Sequence, residues 1–206
     1  YIVECIDSIY KQETNFEFDV IVRDDNSKDD TLNKLEILKQ KYPNLIILDG
    51  SENVGALENI KILYESTDSE YIAYLDGDDV CGDKDKLQRQ VDFLETNPNY
   101  VMTFTTSKYL YENGTIFPPD NSFIYPLIET INTKDILEIN YVGFGRVFRN
   151  IKGLFKEYFK DLPYVDWPLN YELSKYGLIG FQNIFGGYYR ISESGLFSPI
   201  PQSKKD

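Results

Sequence analysis

The sequence predicts an α/β fold, a mostly parallel sheet flanked by helices. Three observations predict it. Short apolar runs of strand length, Phe18–Val22, Leu45–Leu48 and Tyr71–Leu75, alternate with segments whose apolar residues recur at spacings of three and four. The segments between runs are long enough for crossover helices, which wind right-handed and leave successive strands parallel. Two of the three runs end at acidic clusters, Asp24-Asp25 and Asp76-Gly77-Asp78-Asp79. In sheets of this kind, ligands bind beyond the carboxyl ends of the strands.

Taken in order, Ile2, Cys5, Ile6, Ile9 and Tyr10 form one face of a first helix. Phe18–Val22 is β-rich and stops at Arg23-Asp24-Asp25-Asn26-Ser27. Leu32, Leu35, Leu38 and Tyr42 mark a second helix, closed by Pro43. Leu45–Leu48 is a short buried strand, and Asn53-Val54-Gly55 turns the chain into a third helix carrying Leu57, Ile60, Leu63 and Tyr64. Tyr71–Leu75 is a buried strand, and Leu87, Val91 and Leu94 line a fourth helix that stops at Asn97-Pro98. Beyond residue 100 the rhythm changes. Val101–Tyr111 is a long strand turning at Glu112-Asn113-Gly114, and residues 117–126, with several prolines and aromatics, read as loop. Short helices around 133–139 and 167–176 flank a strand at Val142–Phe148, and Gly186–Ile191 closes the set. No repeat or linker divides the chain, so one domain over residues 1–206 is expected.

Composition narrows the function. The 206 residues carry a net charge of −13 and present no basic face, which argues against nucleic acid as a partner. Histidine is absent, so Ser-His-Asp and Cys-His catalysis and His-based metal sites are excluded. Proton transfer falls to Asp, Glu, Tyr, Lys or Cys. The two cysteines, Cys5 and Cys81, read as reduced thiols of a cytosolic protein rather than a disulfide framework. Asn113-Gly114-Thr115 fits a glycosylation acceptor but reads as a hairpin turn. No run approaches the ~18 apolar residues of a membrane helix, and no signal peptide is present. The chain opens at Tyr1 inside a helix pattern and without Met. It reads as a fragment lacking a preceding strand, with Ser203–Asp206 as a second cut end.

Asp76, Asp78 and Asp79 place three carboxylates in four positions. Like charges at ~4 Å repel by about 1 kcal/mol in water and by roughly four times that near a protein surface. A hard divalent cation, Mg²⁺ or Mn²⁺, relieves that crowding; a solvated acidic turn is the plainer alternative. Parallel strands would bring both acidic clusters to one sheet edge. A carboxylate accepts hydrogen bonds from a ring N–H or a sugar hydroxyl, whereas a carboxylate beside a phosphate needs a metal between them. The division expected is base recognition at Asp25, with ribose and metal contacts at Asp76, Asp78 and Asp79.

The run Val20–Thr31 resembles the nucleotide-binding segment of family-2 glycosyltransferases of the GT-A fold, a Rossmann-like architecture. Asn53-Val54-Gly55 with Asn59 is similar to that family's next motif, and Glu70–Asp79 to its DxD segment, in the same order and spacing. Asn140–Arg149 resembles the acceptor-side strand, Val165–Leu169 the segment carrying the catalytic base, and Tyr189–Ser192 the closing Tyr-Arg motif. The resemblance implies a nucleotide-binding half in residues 1–100 and an acceptor-binding half in residues 101–206. It implies that Asp25 contacts a uracil ring, with Asp24 and Asn53 on the nucleotide side. Asp76 and Asp78 form the DxD pair, and Asp78 or Asp79 reaches Mn²⁺ or Mg²⁺. Asp166 is the implied general base, with a helix N-cap as its other reading. Arg190 meets diphosphate oxygens, or forms a surface ion pair. Trp167 and Tyr141 line the acceptor site, or belong to the core.

The activity implied is inverting transfer from a UDP-sugar to a hydroxyl of a saccharide, lipid-linked or protein-linked acceptor in surface polysaccharide synthesis. The place implied is the cytoplasmic side of a membrane, with any membrane association lying outside this fragment. Many members carry a His after the closing pair; here Ser192 and Glu193 follow, and Glu193 is the alternative ligand. Two competing functions stay open on sequence: a sugar-phosphate nucleotidyltransferase, and a non-catalytic nucleotide- or sugar-binding module.

Overall fold

A computed structural model describes residues 1–118, 128–162 and 164–192. The loop expected at 117–126 falls largely outside them, as do Glu193 and the tail. The fold is mixed α/β, with helices on both sides of its sheets. Strand β1 (Val20–Arg23) lies parallel to β2 (Leu45–Leu48), with Val20 opposite Leu45 and Arg23 opposite Leu48. Helices α1 (Ile2–Ile9) and α2 (Thr31–Lys41) supply Ile6, Leu35 and Leu38, which bury against Val20 and Leu45.

Helix α3 (Ala56–Glu65) leads to β3 (Tyr71–Ala73), the edge of a second sheet of seven strands. That sheet also contains β4 (Val80–Cys81), β5 (Tyr100–Tyr111), β6 (Ile116–Phe117), β7 (Thr130–Ile131), β8 (Phe144–Arg149) and β9 (Leu178–Ile191). Its order is β3–β8–β5–β9–β4, with β6 paired to β5 and β7 to β9. The ladder between β5 and β9 is parallel and by far the longest; together with β1–β2 it gives parallel pairing the greater share of paired residues. The flanking pairings of β3, β4, β6, β7 and β8 are antiparallel. Val101–Ser107 of β5 is buried on both faces, as a central strand must be. On one side lie Met102, Phe104, Phe148, Leu169, Leu173 and Ile179, with α5 (Thr133–Glu138) and α6 (Asp166–Ser174) packed over them. On the other, α4 (Lys86–Thr96) buries Leu87 and Leu94 against Val147.

Two expectations change. Strand β9 runs from Leu178, well before the Gly186 start expected, because Gly180 and Gly186 sit where a Cβ would strike Phe93 or Thr105. These glycines mask a strand that the sequence pattern alone does not mark. In addition, β1 and β3 lie in separate sheets, so the two acidic clusters do not crown neighbouring strands of one sheet.

The N-terminal helix joins the two sheets. Ile6 enters the β1–β2 core, while Cys5 Sγ donates to the Asp76 carbonyl at 3.5 Å and Ser8 Oγ accepts the Cys81 N–H at 2.9 Å. Beyond the helix end, Gln12 donates to the Asp83 carbonyl at 2.9 Å and accepts the Leu87 N–H at 3.1 Å. Gln12 is 8% exposed, so both backbone groups depend on it. Gln12→Ala is expected to cost about 1–3 kcal/mol by leaving them unpaired. A urea titration checks this, and an unchanged midpoint would contradict it.

Candidate active site at the acidic loops

The first acidic cluster is organised by Arg23, at the end of β1 and 8% exposed. Its guanidinium donates to Asp25 Oδ1 at 3.0 Å, to Asn59 Oδ1, and to the carbonyls of Asp49 at 2.8 Å and Glu52 at 3.2 Å. Asp25 in turn accepts the Val54 N–H at 2.8 Å and the Gly55 N–H at 2.9 Å, and Asn53 Nδ2 donates to its carbonyl at 2.7 Å. Gly55 precedes α3 with φ +81°, a conformation that favours glycine, and it turns these N–H groups toward Asp25. Burial pushes the Asp25 carboxyl up, but the Val54 N–H, Arg23 and the Gly55 N–H outweigh it and hold the group below the usual range. Asp25 is therefore ionised, with lone pairs left for a ligand donor. Asp24 accepts the Ser27 N–H and hydroxyl, and its carbonyl lies so close to Gly50 that a Cβ there would sit 1.7 Å away.

The second cluster gives its three carboxylates three environments. Asp76 is exposed and accepts the Tyr74 hydroxyl at 2.6 Å. Asp78 is half-buried, and burial and then the charge of Asp76 raise its pKa. Asp79 is 3% exposed, and its Oδ1 accepts the Arg190 N–H at 2.8 Å. Burial pushes Asp79 up to about 8; the Arg190 N–H opposes the rise, and Asp76 and Asp78 add to it. The Arg190 side chain donates to the Asp78 carbonyl at 2.7 Å and to Glu4 Oε2 at 2.6 Å, and lies 4.4 Å from the Tyr1 ring centre.

Asp79 is turned inward onto β9, where its carboxylate ties the loop to the strand. Arg190 forms an ion pair with Glu4 and also holds the Asp78 backbone. Among the described residues no group of three metal-binding side chains converges. The Asp76–Asp78 pair still fits a divalent ion: Mg²⁺ is commonly held by one or two carboxylates with substrate phosphates completing the shell.

Asp166 opens α6, whose N-cap is Val165 and which has no side-chain capping bond, so the N-cap reading of Asp166 is not what forms. Instead Asn140 Nδ2 donates to Asp166 Oδ2 at 3.0 Å, and Asn170 Nδ2 donates to Asn140 Oδ1 at 3.1 Å. Trp167 is 36% exposed and donates its indole N–H to the Ile136 carbonyl at 2.7 Å. Tyr141 is half-buried and packs against the main core cluster.

Strand register relates these groups. In the antiparallel β3–β8 pair Ala73 lies opposite Val147, and the Tyr74 N–H donates to the Arg146 carbonyl at 3.0 Å. The chain leaving β3 toward Asp76 and the chain entering β8 from Asn140-Tyr141 therefore meet the same end of the pair. Among the described residues, no hydrogen bond or ion pair joins the Asp25, Asp76–Asp79 and Asp166 groups directly. Sequence reasoning missed Arg23, Glu4, Asn140 and Asn170 as working parts. Only Asn170 left a signal, its i,i+4 relation to Asp166.

Across residues 1–159 the chain matches the model for glycosyl transferase family 2. The chain belongs to this family. An uncharacterised Mycobacterium tuberculosis protein, Rv1520, is 30% identical over 151 residues, 71% of this chain and 43% of that protein. The poly(ribitol-phosphate) β-glucosyltransferase of Bacillus spizizenii is 33% identical over 106 residues, 48% of this chain and 16% of that enzyme. TuaG of Bacillus subtilis, a putative teichuronic acid biosynthesis glycosyltransferase by name, is 27% identical over 143 residues, 69% of this chain and 54% of TuaG. The chain thus spans about half or less of the length of these relatives. In fold, it is similar to S. aureus TarS 1–349 in complex with UDP, with a TM-score of 0.62 at 21% identity over 93% of this chain and 57% of TarS. It is also similar to the Pyrobaculum calidifontis mannosyltransferase PcManGT with GDP-Man and Mn²⁺, with a TM-score of 0.62 at 14% identity over 94% of this chain and 54% of that one. These likenesses establish the GT-A class of this family-2 domain.

Two predictions follow from the site. Arg23→Met should cost roughly 1.5–3 kcal/mol, since it removes the charged partner of Asp25 and the donor to the Asp49 and Glu52 carbonyls; equilibrium unfolding measures it, and a loss under 1 kcal/mol would show that Arg23 organises nothing. For Asp79, the folded chain binds the proton more tightly than the unfolded chain. Its contribution to stability is full below the unfolded carboxylate range and is lost as pH rises through about 8. In metal-free buffer, urea midpoints should fall across that interval, and Asp79→Asn should flatten the fall.

Proposed function

We propose that this family-2 domain transfers a sugar from a UDP-sugar to an acceptor hydroxyl with inversion at the anomeric carbon. The single observation carrying the reading is the β3–β8 register, which sends the Asp76–Asp78 loop and the segment that holds Asp166 to one end of one strand pair. The uracil ring N–H donates to Asp25, which is kept ionised by Arg23 and the Val54 and Gly55 amides. Asp24 and Asn53 shape that pocket. Asp78 and Asp79, with Asp76 toward the ribose, would hold Mn²⁺ or Mg²⁺, which would supply positive charge against the diphosphate leaving group, and Arg190 would face its oxygens. Asp166 takes the acceptor hydroxyl proton, the oxygen attacks the anomeric carbon from the face opposite the nucleotide, and UDP departs. A carboxylate suits this role in a chain without histidine. Exposed Trp167, in the residue after the base, offers a ring face to the acceptor.

The names of the relatives, a poly(ribitol-phosphate) β-glucosyltransferase and a putative teichuronic acid biosynthesis glycosyltransferase, support a polysaccharide or related polymer as acceptor; the group proposed for transfer is a hexosyl or N-acetylhexosaminyl group. Residues 1–100 serve the donor and residues 101–206 the acceptor within one domain. No helix among the described residues is long and apolar enough to cross a membrane. The proposed place of action is the cytoplasmic face, where nucleotide-sugars are made.

A panel of UDP-sugars with Mn²⁺, read by UDP release, tests the proposal. Asp166→Asn is expected to lower turnover by about 10²–10⁴-fold with UDP affinity retained. Full turnover in that variant would remove Asp166 from the chemistry. A protein that binds UDP yet turns over no UDP-sugar would instead be a binding module.

A further inference from the structure

The Asp166 carboxylate is held from outside its own helix. Helix α6 gives it no capping bond, and the hydrogen bond to Oδ2 comes from Asn140, 26 residues earlier, at 3.0 Å. Asn140 is itself held: its Oδ1 accepts from Asn170 Nδ2 at 3.1 Å. Asn170 stands one helical turn after Asp166, on the same face of α6, and is 0% exposed.

We propose that Asn140 is a positioning residue for the general base and that Asn170 fixes which way the Asn140 amide faces. The inference rests on Asp166 being the base. A primary amide has two ends of nearly equal shape, one donating and one accepting. With its amide reversed, Asn140 would set Oδ1 against Asp166 Oδ2, two acceptors in contact, and its NH₂ against the Asn170 NH₂, two donors in contact. Both ends of the amide therefore select one orientation. That orientation leaves Asp166 Oδ1 free of Asn140 and able to face the acceptor hydroxyl.

Asn170 carries a second sign of this role. Its Oδ1 is buried with no hydrogen-bond partner. An unpaired buried acceptor is unfavourable, and an apolar side chain of similar volume would avoid that penalty. The stability of α6 does not account for an asparagine at this core position. Its donor end, aimed at Asn140, does.

The relay makes a specific pattern of losses. For the UDP-sugar that the donor panel selects, Asn140→Ala should lower kcat roughly tenfold, leaving the Kd for UDP unchanged because the proposal gives Asn140 no nucleotide contact. Asn170→Ala should lower kcat in the same sense. The double variant should be no slower than Asn140→Ala alone, because Asn170 acts only through Asn140. Independent, multiplying losses, or wild-type kcat in Asn140→Ala, would overturn the relay. Should Asn170→Ala not fold, Asn170→Ser keeps a donor in place and is expected to keep more turnover than Asn170→Leu, which has none; equal turnover in the two would count against the relay. Asp166→Asn separates the two levels. If it lowers turnover as expected while Asn140→Ala keeps wild-type kcat, only the positioning role fails; if Asp166→Asn keeps full turnover, the base assignment itself fails.

Discussion

The buried Asp79 carboxylate ties the acidic loop to β9 through the Arg190 N–H. Three carboxylates within four residues repel one another, and the fold resolves that crowding by giving each a different surrounding. Asp79 goes inward, is raised toward protonation by burial, and accepts the Arg190 N–H. Asp78 stays half-buried, with its carbonyl tied by the Arg190 side chain. Asp76 faces outward, steadied by Tyr74. The loop is thereby fixed at both ends, with Asp79 held inside and Asp76 outside. The same arginine reaches Glu4 of α1, so the latch also secures the helix that spans the two sheets.

Asp25 and Asp166 are held in the same general way, by polar groups that include ones brought from a distant part of the chain. Asp25 is clamped by the turn before α3 and by Arg23. Asp166 is clamped by Asn140, and Asn140 by Asn170. These clamps cost little where the partners are backbone N–H groups already oriented by a helix start, since those groups have no partner within the helix. They restrict side-chain motion at the points where a ligand would need fixed charge. Arrangement on strand ends and helix starts, rather than on long loops, gives the site the stiffness of the elements beneath it.

Much of this was legible in the sequence because it depends on local chemistry. Periodicity marked α1 to α4 and the first three strands. The acidic runs after β1 and β3, the Asn53-Val54-Gly55 turn and Asp166 were visible as residue types at particular spacings. What stayed hidden depends on contacts between distant segments. Nothing near Arg190 in the sequence says that its partner is Glu4, and nothing near Asp79 says that it points inward while Asp76, three residues earlier, points out. Strand β9 was read short because its glycines interrupt the apolar pattern, although they are there to let β5 and the β4 edge approach.

The sequence by itself determined the class of fold, the family and the kinds of side chain available for chemistry, because these follow from composition, period and motif order. Only the tertiary structure decided which carboxylates stay accessible, which arginine is already paired, and which asparagines stand behind Asp166. The physical reason is that burial and hydrogen-bond partnership are properties of packing. A carboxylate three residues from another has the same local sequence chemistry, and its charge, its exposure and its use are set by what the rest of the chain folds against it.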